Sequence, residues 1–267
     1  MQKDPTPLTE ICMTVIYFTA TGNSLAVARH IGGRCISAVT LLRQTGSVEL
    51  SDPEGIGLVM PVYFGQIPAV VTQLMRRLSL RAPYLFAVLT YGELAGRAAT
   101  HMCRLGKETG IIFDYIRTIK MVDNNFIIVS VSRQVRDCGR KKISVCMDAI
   151  AGEIRERKCF VEKPGVVSRL IGIIEERMPQ GPKFDSGFSV EADKCNGCGT
   201  CVKVCPNANV QLAGGHPQWQ GDCLKCTACY HNCPQGAVRY RNERSRYCFR
   251  NPAVTLQDII HANNRTR

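Results

Sequence analysis

The sequence of 267 residues lacks the features that mark a membrane or secreted protein. No apolar run approaches the roughly 18–20 residues that a membrane-spanning helix needs. The opening stretch, "MQKDPTPLTE", lacks the charged and then apolar layout of a signal peptide. We therefore expect a cytoplasmic protein with no membrane partner. An apolar content of 45% suits one large folded domain or two smaller ones.

Two nucleotide-binding fingerprints are also missing, and acidic residues are scarce. The chain contains neither a Walker loop nor a Gly-x-Gly-x-x-Gly turn. Without the second of these, NAD(P)H is disfavoured as an electron donor. The 22 Asp and Glu residues face 34 Lys and Arg, which gives a formal net charge of +12. This excess predicts a partner or substrate that carries negative charge.

Cysteine, in contrast, is abundant, with 15 residues that are unevenly placed. Eight of them lie between Cys195 and Cys233, and in a reducing compartment such a group predicts metal binding rather than disulfides. So many free thiols are also typical of anaerobes. The other seven occur singly and are expected to pack as small apolar side chains. They are Cys12, Cys35, Cys103, Cys138, Cys146, Cys159 and Cys248.

The clustered cysteines repeat one pattern, C-x2-C-x2-C-x3-C-P, at 195–206 and at 223–234. Zinc sites use two separated Cys pairs or include His, so two identical runs favour iron–sulfur clusters instead. This spacing is that of bacterial ferredoxins, in which the fourth cysteine of each run ligates the other cluster. The predicted ligands of two [4Fe–4S] clusters are Cys195, Cys198, Cys201 and Cys233 for cluster 1, and Cys223, Cys226, Cys229 and Cys205 for cluster 2.

The first half of the chain alternates apolar strands with helices, which predicts a doubly wound parallel α/β sheet of five strands. The predicted strands cover 11–18, 34–39, 55–63, 84–90 and 111–122. The predicted helices cover 23–33, 68–78, 97–109, 132–158 and 166–178. A stretch rich in Pro, Gly and polar residues then predicts a linker near 179–187.

Three loops that follow predicted strands indicate a ligand site. The first, "TATGNS" (19–24), opens a helix and suits a phosphate group, although a capped helix start would explain it too. The others are "VYFGQIP" (62–68) and "TYGELAG" (90–96), and in open α/β sheets ligands bind at such strand ends. Both bring aromatic side chains, each of which could instead pack in the core. A phosphate cradle between aromatic walls predicts FMN.

Together these motifs resemble a flavodoxin joined to a bacterial two-cluster ferredoxin, a fusion found in anaerobes. Residues 11–122 carry the first resemblance through "YFTATGNS", "PVYFGQIP" and "TYGELAG", and 188–240 carry the second through both cysteine runs. The resemblance implies a flavodoxin-like domain over 1–180, a linker over 181–187, a small α+β ferredoxin domain over 188–240 and a basic tail over 241–267.

The same resemblance implies which residues bind FMN. They are Thr19, Thr21, Gly22, Asn23 and Ser24 at the phosphate, and Val62, Tyr63, Phe64, Gly65, Thr90, Tyr91 and Gly92 near the ring. The stretch "MVDNNF" (121–126) resembles a Met-Pro-Asp-Asn-Tyr segment of such fusions, but it departs from that pattern and we assign it no role.

The leading hypothesis is an oxidoreductase in which single electrons pass from a low-potential donor through the clusters to FMN and on to a small-molecule substrate. Tyr91 and Glu93 are candidate proton donors, although a loop Glu is more often only solvated. The expected partners are an acidic donor such as a ferredoxin and a small-molecule or protein acceptor, and a homodimer stays open. Alternatives are a pure relay to a partner protein, a redox sensor, or a nucleic-acid binder with structural clusters. The last is disfavoured because aromatic residues are not interleaved along the basic helix at 132–158.

Overall fold

The computed structural model of the chain describes residues 13–163, 165 and 184–264. The predicted helix at 166–178, Cys12 and the part of the predicted linker before residue 184 lie outside the described residues. The strands are β1 Thr14–Tyr17, β2 Arg34–Ser37, β3 Val48–Ser51, β4 Ile56–Pro61, β5 Leu78–Arg81, β6 Leu85–Tyr91, β7 Tyr115–Lys120, β8 Phe160–Val161, β9 Phe188–Val190, β10 Val210–Ala213, β11 His216–Trp219 and β12 Val238–Tyr240.

The helices connect and cover these strands. They are α1 Asn23–Ile31, α2 Ala38–Leu42, α3 Ala69–Met75, α4 Ala98–Glu108, α5 Val131–Arg136, α6 Ile143–Arg155, α7 Thr200–Lys203, α8 Ala228–His231 and α9 Leu256–Asn263. None of the helices in the described ranges combines the length and apolar character needed to cross a membrane.

The main sheet is parallel, and its order is β2-β1-β4-β6-β7-β8. Its first five strands, numbered along the chain, follow the order 2-1-3-4-5 of the flavodoxin-like doubly wound fold. The predicted α/β class is therefore confirmed. The predicted number of five strands is wrong, because β8 pairs with the outer edge of β7 as a sixth strand. With only two residues, both exposed, β8 is too short to show a strand pattern.

A second parallel pair, β3 and β5, was not predicted. The predicted helix at 68–78 ends at Met75, and Leu78, its last predicted residue, begins β5 instead. Each of these strands has only four residues, and several of their side chains are exposed. Strands of this kind contribute few apolar residues to a sequence pattern, so they are easily read as loop or helix end.

The predicted helix at 132–158 is broken into α5, a 3₁₀ turn over Cys138–Lys141, and α6. Lys142 lies between the turn and α6 with a φ of 48°, in the left-handed region where an α-helix cannot continue. Gly139, a weak helix former, falls at the same place. Helix α6 buries Ile150, Ala151 and Ile154, and its Glu153 accepts a hydrogen bond from the Tyr115 hydroxyl of β7 (2.6 Å).

Both faces of the main sheet are covered by apolar cores. Along β1 and the residue after it the side chains alternate, with Val15 and Tyr17 in one core and Ile16 and Phe18 in the other. The core that contains Val15 also includes Val204 and Cys226. Both belong to residues 188–240, which we call the cysteine-rich unit. That unit therefore packs directly on the sheet layer.

A third core joins the 122–131 stretch to the cysteine-rich unit. At its centre Phe126 stacks on Tyr230, with ring centroids 3.9 Å apart. Residues Phe184–Gly187, the end of the predicted linker, form a 3₁₀ turn, and Phe184 packs beside Phe188 in this core. The end of the linker is thus folded structure.

The predicted basic tail at 241–267 is folded as far as Asn264. Ser37 donates a hydrogen bond from its hydroxyl to the Ala262 carbonyl (2.6 Å), and the Asn263 amide donates to the Thr19 carbonyl (2.9 Å). Thr255 and Asp258 form a capping box at the start of α9. The final helix is therefore a supporting layer of the α/β unit, next to the loop at Thr19.

Replacing Asp258 with Asn should lower the free energy of unfolding by about 1 kcal/mol at pH 7, because it removes the capping box and the ion pair with Arg29. The hydrogen bond from Arg29 holds the pKa of Asp258 below its usual value. The contribution is therefore present above the unfolded pKa of about 4 and is lost as the pH falls below it. Urea unfolding at several pH values measures this difference.

Glu49→Gln, which removes a carboxylate charge from an exposed position on β3, is the matched control and should change stability by less than about 0.5 kcal/mol. Equal stability of Asp258→Asn and wild type at pH 7 would contradict the expectation. A stability difference that does not change on acidification would do the same.

Candidate functional site

One cavity lies at the carboxyl edge of the main sheet, where the loops after β1, β4, β6 and β7 meet. All of the predicted cofactor-binding residues except Gly22 line it. These residues are Thr19, Thr21, Asn23, Ser24, Val62, Tyr63, Phe64, Gly65, Thr90, Tyr91 and Gly92. Their convergence follows from the parallel sheet, which brings all its strand ends to one edge.

Gly22 lies in the same loop but does not line the cavity. Its φ is 96°, and a Cβ atom on it would lie 2.9 Å from the Cβ of Val254. The backbone N–H of Asn251 donates to the Thr21 carbonyl on the same side (2.8 Å). Gly22 is therefore needed for the left-handed turn and for the close approach of the C-terminal segment.

The loop at 19–24 has donors available for an anionic group. The Thr19 hydroxyl accepts from the Gly22 N–H (3.0 Å), and the Thr21 hydroxyl accepts from the Asn124 amide (2.6 Å). A hydroxyl that accepts a hydrogen bond still keeps its own proton to donate. Helix α1 begins here, at Asn23, and its first N–H groups have no partner within the helix. These groups fit a phosphate.

The 121–125 stretch, which received no role from the sequence, forms one wall of the cavity. Val122 accepts from the Asn23 amide through its carbonyl (3.0 Å), and Asp123 accepts from the backbone N–H groups of Glu93 (3.1 Å) and Asn125 (2.8 Å). The 121–125 stretch follows β7 directly. Its position after a predicted parallel strand was therefore the one signal in the sequence that it could line the cavity.

Glu93 and Tyr91 lie at the cavity in different states. Burial raises the pKa of Glu93, but hydrogen bonds from Lys120 and Gln134 (both 2.8 Å) outweigh it, and the net pKa is lowered. Glu93 is thus ionised at neutral pH and holds neighbouring segments together, which does not suit a proton donor. Burial raises the pKa of Tyr91, so its phenol stays neutral and able to donate a hydrogen bond.

Tyr63 brings a buried hydroxyl that has no hydrogen-bond partner among the described residues. Burial raises its pKa well above the usual value, and the neighbouring Cys226 adds to this. A buried hydroxyl without a partner costs about 1–3 kcal/mol, so a partner supplied by a bound group is expected here.

Two smaller cavities are each surrounded by four cysteines. One is bordered by Cys195, Cys198, Cys201 and Cys233, and the other by Cys205, Cys223, Cys226 and Cys229. In each, three cysteines come from one run and the fourth comes from the other. This is the crossed grouping that the spacing predicts.

The cysteine sets suit clusters better than single ions. In the part of the chain that the structure describes, no three His, Cys, Asp or Glu side chains converge on one ion position. Sulfurs around one zinc at about 2.3 Å would lie about 3.8 Å apart. Here they surround a cavity, and the N–H groups of Asn209 and Ala237 each donate to a cysteine sulfur, Cys205 and Cys233 (both 3.3 Å).

Burial affects how these thiols must bind metal. It raises the pKa of Cys226 and of Cys229 well above the usual value. Both thiols therefore keep their protons at neutral pH when no metal is bound, and iron has to displace those protons.

One cysteine cavity shares a wall with the cavity at the sheet edge. Cys226 and Thr227 line both the sheet-edge cavity and the cavity bordered by Cys205. Lys225, next to them in the chain, lines the sheet-edge cavity. The cavity bordered by Cys195 shares no lining residue with the sheet-edge cavity in the described chain. Cluster 2 of the prediction would thus lie next to the predicted flavin, with cluster 1 beyond it.

Residues 186–241 match the family model of the 4Fe-4S dicluster domain. This match identifies an iron–sulfur domain that contains all eight clustered cysteines, and it supports a redox electron-transfer role. Among curated proteins, none matches the chain at a significant level.

Several solved structures resemble parts of the chain. A protein described as a flavoprotein from Bacteroides uniformis has 12% identity and a TM-score of 0.32, over 47% of this chain and 97% of its own. The Flv1 flavodiiron core from Synechocystis has 14% identity and a TM-score of 0.29, over 55% of this chain and 37% of its own. The Trp repressor binding protein from Bacillus subtilis has 8% identity and a TM-score of 0.30, over 54% of this chain and 99% of its own. TM-scores of this size do not establish a shared fold or function.

If the fourth cysteines are crossed, variants should fall into two groups by their electron paramagnetic resonance (EPR) spectra. Cys201→Ala and Cys233→Ala should lose the same cluster, because both border one cavity. Cys205→Ala and Cys226→Ala should lose the other. EPR spectra of the reduced variants, each retaining about four irons, measure this. A Cys205→Ala spectrum that matches the Cys201→Ala spectrum would contradict the crossed arrangement.

If the cavity at the sheet edge binds FMN, Gly92→Ala should weaken that binding by about tenfold or more, which is about 1.4 kcal/mol. A Cβ atom on Gly92 would lie 2.3 Å from the Cγ of Asp123, so one of the two loops has to move. Titration of FMN into the apoprotein, followed by flavin fluorescence, measures the affinity. Gly152→Ala is the control, since its Cβ would meet nothing within 4 Å. Wild-type affinity in Gly92→Ala would show that this contact does not shape the site.

Proposed function

We propose that the chain is an oxidoreductase that takes single electrons from a low-potential donor such as a ferredoxin and passes them through two [4Fe–4S] clusters to FMN and on to a small-molecule substrate. The observation that carries this proposal is the wall of Cys226 and Thr227 between two cavities. When bound, the clusters would supply one-electron transfer, and FMN would supply collection of electron pairs.

Polar contacts hold this wall in place. The Asn232 amide donates to the Ala20 carbonyl (3.0 Å), so the end of α8 is tied to the loop after β1. His231 Nδ1 accepts from the Phe249 N–H (3.1 Å), which leaves the proton on Nε2 to be donated to the Asn124 carbonyl (2.8 Å). Burial lowers the pKa of His231 to about 4, so the ring is neutral at physiological pH. These contacts support a fixed short distance between the two cofactors.

The far cysteine cavity is the proposed entry point for electrons. Cys198 is exposed there. Burial raises its pKa, but hydrogen bonds from the Thr200 hydroxyl and from the backbone, together with the charge of nearby Lys203, outweigh burial, and the net pKa is lowered. An exposed ligand beside a cation, on a chain with a net charge of +12, supports docking of an acidic donor.

The flavin cavity is open on the side proposed for the substrate. Phe64, Leu94 and Ile128 line it and are 42%, 45% and 57% exposed. This apolar rim supports access by a small molecule with an apolar part. The neutral Tyr91 phenol is the remaining candidate proton donor, because Glu93 is held as a carboxylate by Lys120.

Rapid mixing with a chemically reduced ferredoxin, with flavin absorbance as the readout, tests the path. Wild type should show fast flavin reduction, whereas the double variant Cys198→Ala, Cys226→Ala should be slowed at least about tenfold because no cluster route is left. The control, Cys146→Ala, removes an exposed cysteine outside both sets and should react as wild type does. Equally fast reduction in the double variant would reject the path.

A further inference from the structure

We propose that the cluster site bordering the flavin cavity receives two side-chain hydrogen bonds, one from the Tyr63 hydroxyl and one from the Trp219 indole N–H. These bonds would set the reduction potential of the cluster held by Cys205, Cys223, Cys226 and Cys229. The inference rests on the proposed function. Both residues would act on the cluster through hydrogen bonds to its sulfurs, without taking up the electron themselves.

Tyr63 is the donor on the flavin side. Its hydroxyl oxygen is buried and has no partner in the described chain. The ring packs edge-on against Phe18 at 6.3 Å, and it contacts both sheet cores together with Leu224, which comes two residues before Cys226. Tyr63 and Cys226 also line the same cavity. The Tyr63 side chain therefore lies at the larger cavity together with Cys226, and its hydroxyl proton is left for an acceptor that the described chain does not provide.

Trp219 is the donor on the opposite side. Its indole Nε1 is also buried without a hydrogen-bond partner among the described residues. The ring stacks on Phe188 with centroids 5.0 Å apart and an interplanar angle of 8°, which fixes its direction. Trp219 lines the cysteine cavity, and its indole lies beside the Cys229 sulfur. It is the single Trp of the chain.

The other cysteine cavity is built differently. Its lining includes Leu212, Pro217 and Val238, and neither Tyr63 nor Trp219 reaches it. There the Thr200 hydroxyl contacts the sulfur of the exposed Cys198 (3.3 Å). The two buried donors thus single out the cluster site next to the flavin cavity.

Hydrogen bonds to the sulfurs of a cluster stabilise its more negative, reduced form and so raise its reduction potential. One electron enters and no proton moves, because the O–H and N–H bonds stay intact. Removing either donor should therefore make that cluster harder to reduce.

Tyr63→Phe and Trp219→Phe test the proposal, since each keeps a ring in place and removes the donor. The full chain, loaded anaerobically with iron, sulfide and FMN, is titrated with a redox mediator set, with EPR for the clusters and absorbance for the flavin. Each variant should disfavour reduction of one cluster by up to about tenfold, or about 59 mV for one electron, and leave the other cluster unchanged. Trp219→Phe should also leave the flavin unchanged, because Trp219 does not line the cavity at the sheet edge.

Tyr84→Phe is the control, because the Tyr84 hydroxyl donates to the Lys158 carbonyl (2.8 Å) away from the cofactor cavities. Cluster potentials equal to wild type in both test variants would overturn the inference. A Tyr63→Phe variant in which only the flavin potential moves would also overturn it, since the hydroxyl would then belong to the flavin. A chain that takes up neither cofactor would instead reject the proposed function itself.

Discussion

The structure depends on the packing of the cysteine-rich unit against the carboxyl edge of the parallel sheet. Cys226 and Thr227 form a wall that belongs to two cavities at once. Because Cys226 also lies in the core beneath the sheet, this wall cannot shift without disturbing buried contacts. The proposed electron transfer inside one chain requires a fixed separation between the two cofactor sites, and this core packing would supply it.

The 121–125 stretch and the C-terminal segment hold that arrangement together. Asn124 donates to Thr21 at the phosphate loop and accepts from His231 of the cysteine-rich unit. Asn263, in the final helix, donates to the carbonyl of Thr19. The regions predicted as a separate domain and a basic tail thus act as structural supports for one site. Two buried asparagines, Asn232 and Asn263, donate to carbonyls of the loop after β1, at Ala20 and Thr19.

Sequence reasoning predicted the parts of the site that depend on local patterns. The cysteine spacing anticipated which side chains surround each cavity, and the three glycine-bearing loops anticipated most of the cavity lining. It missed β8, which has two exposed residues, and the helix break at Lys142, which depends on a single left-handed residue. It could not place Cys226 beside Tyr63, because docking between distant segments leaves no periodic signal in either.

The proposed function requires that iron–sulfur clusters and a flavin are bound side by side in this chain. The most direct measurement is the content of iron, acid-labile sulfide, zinc and flavin in protein purified without oxygen. We expect about eight irons, about eight sulfides and one FMN per chain. A colourless protein, or one that contains zinc in place of iron, would contradict it.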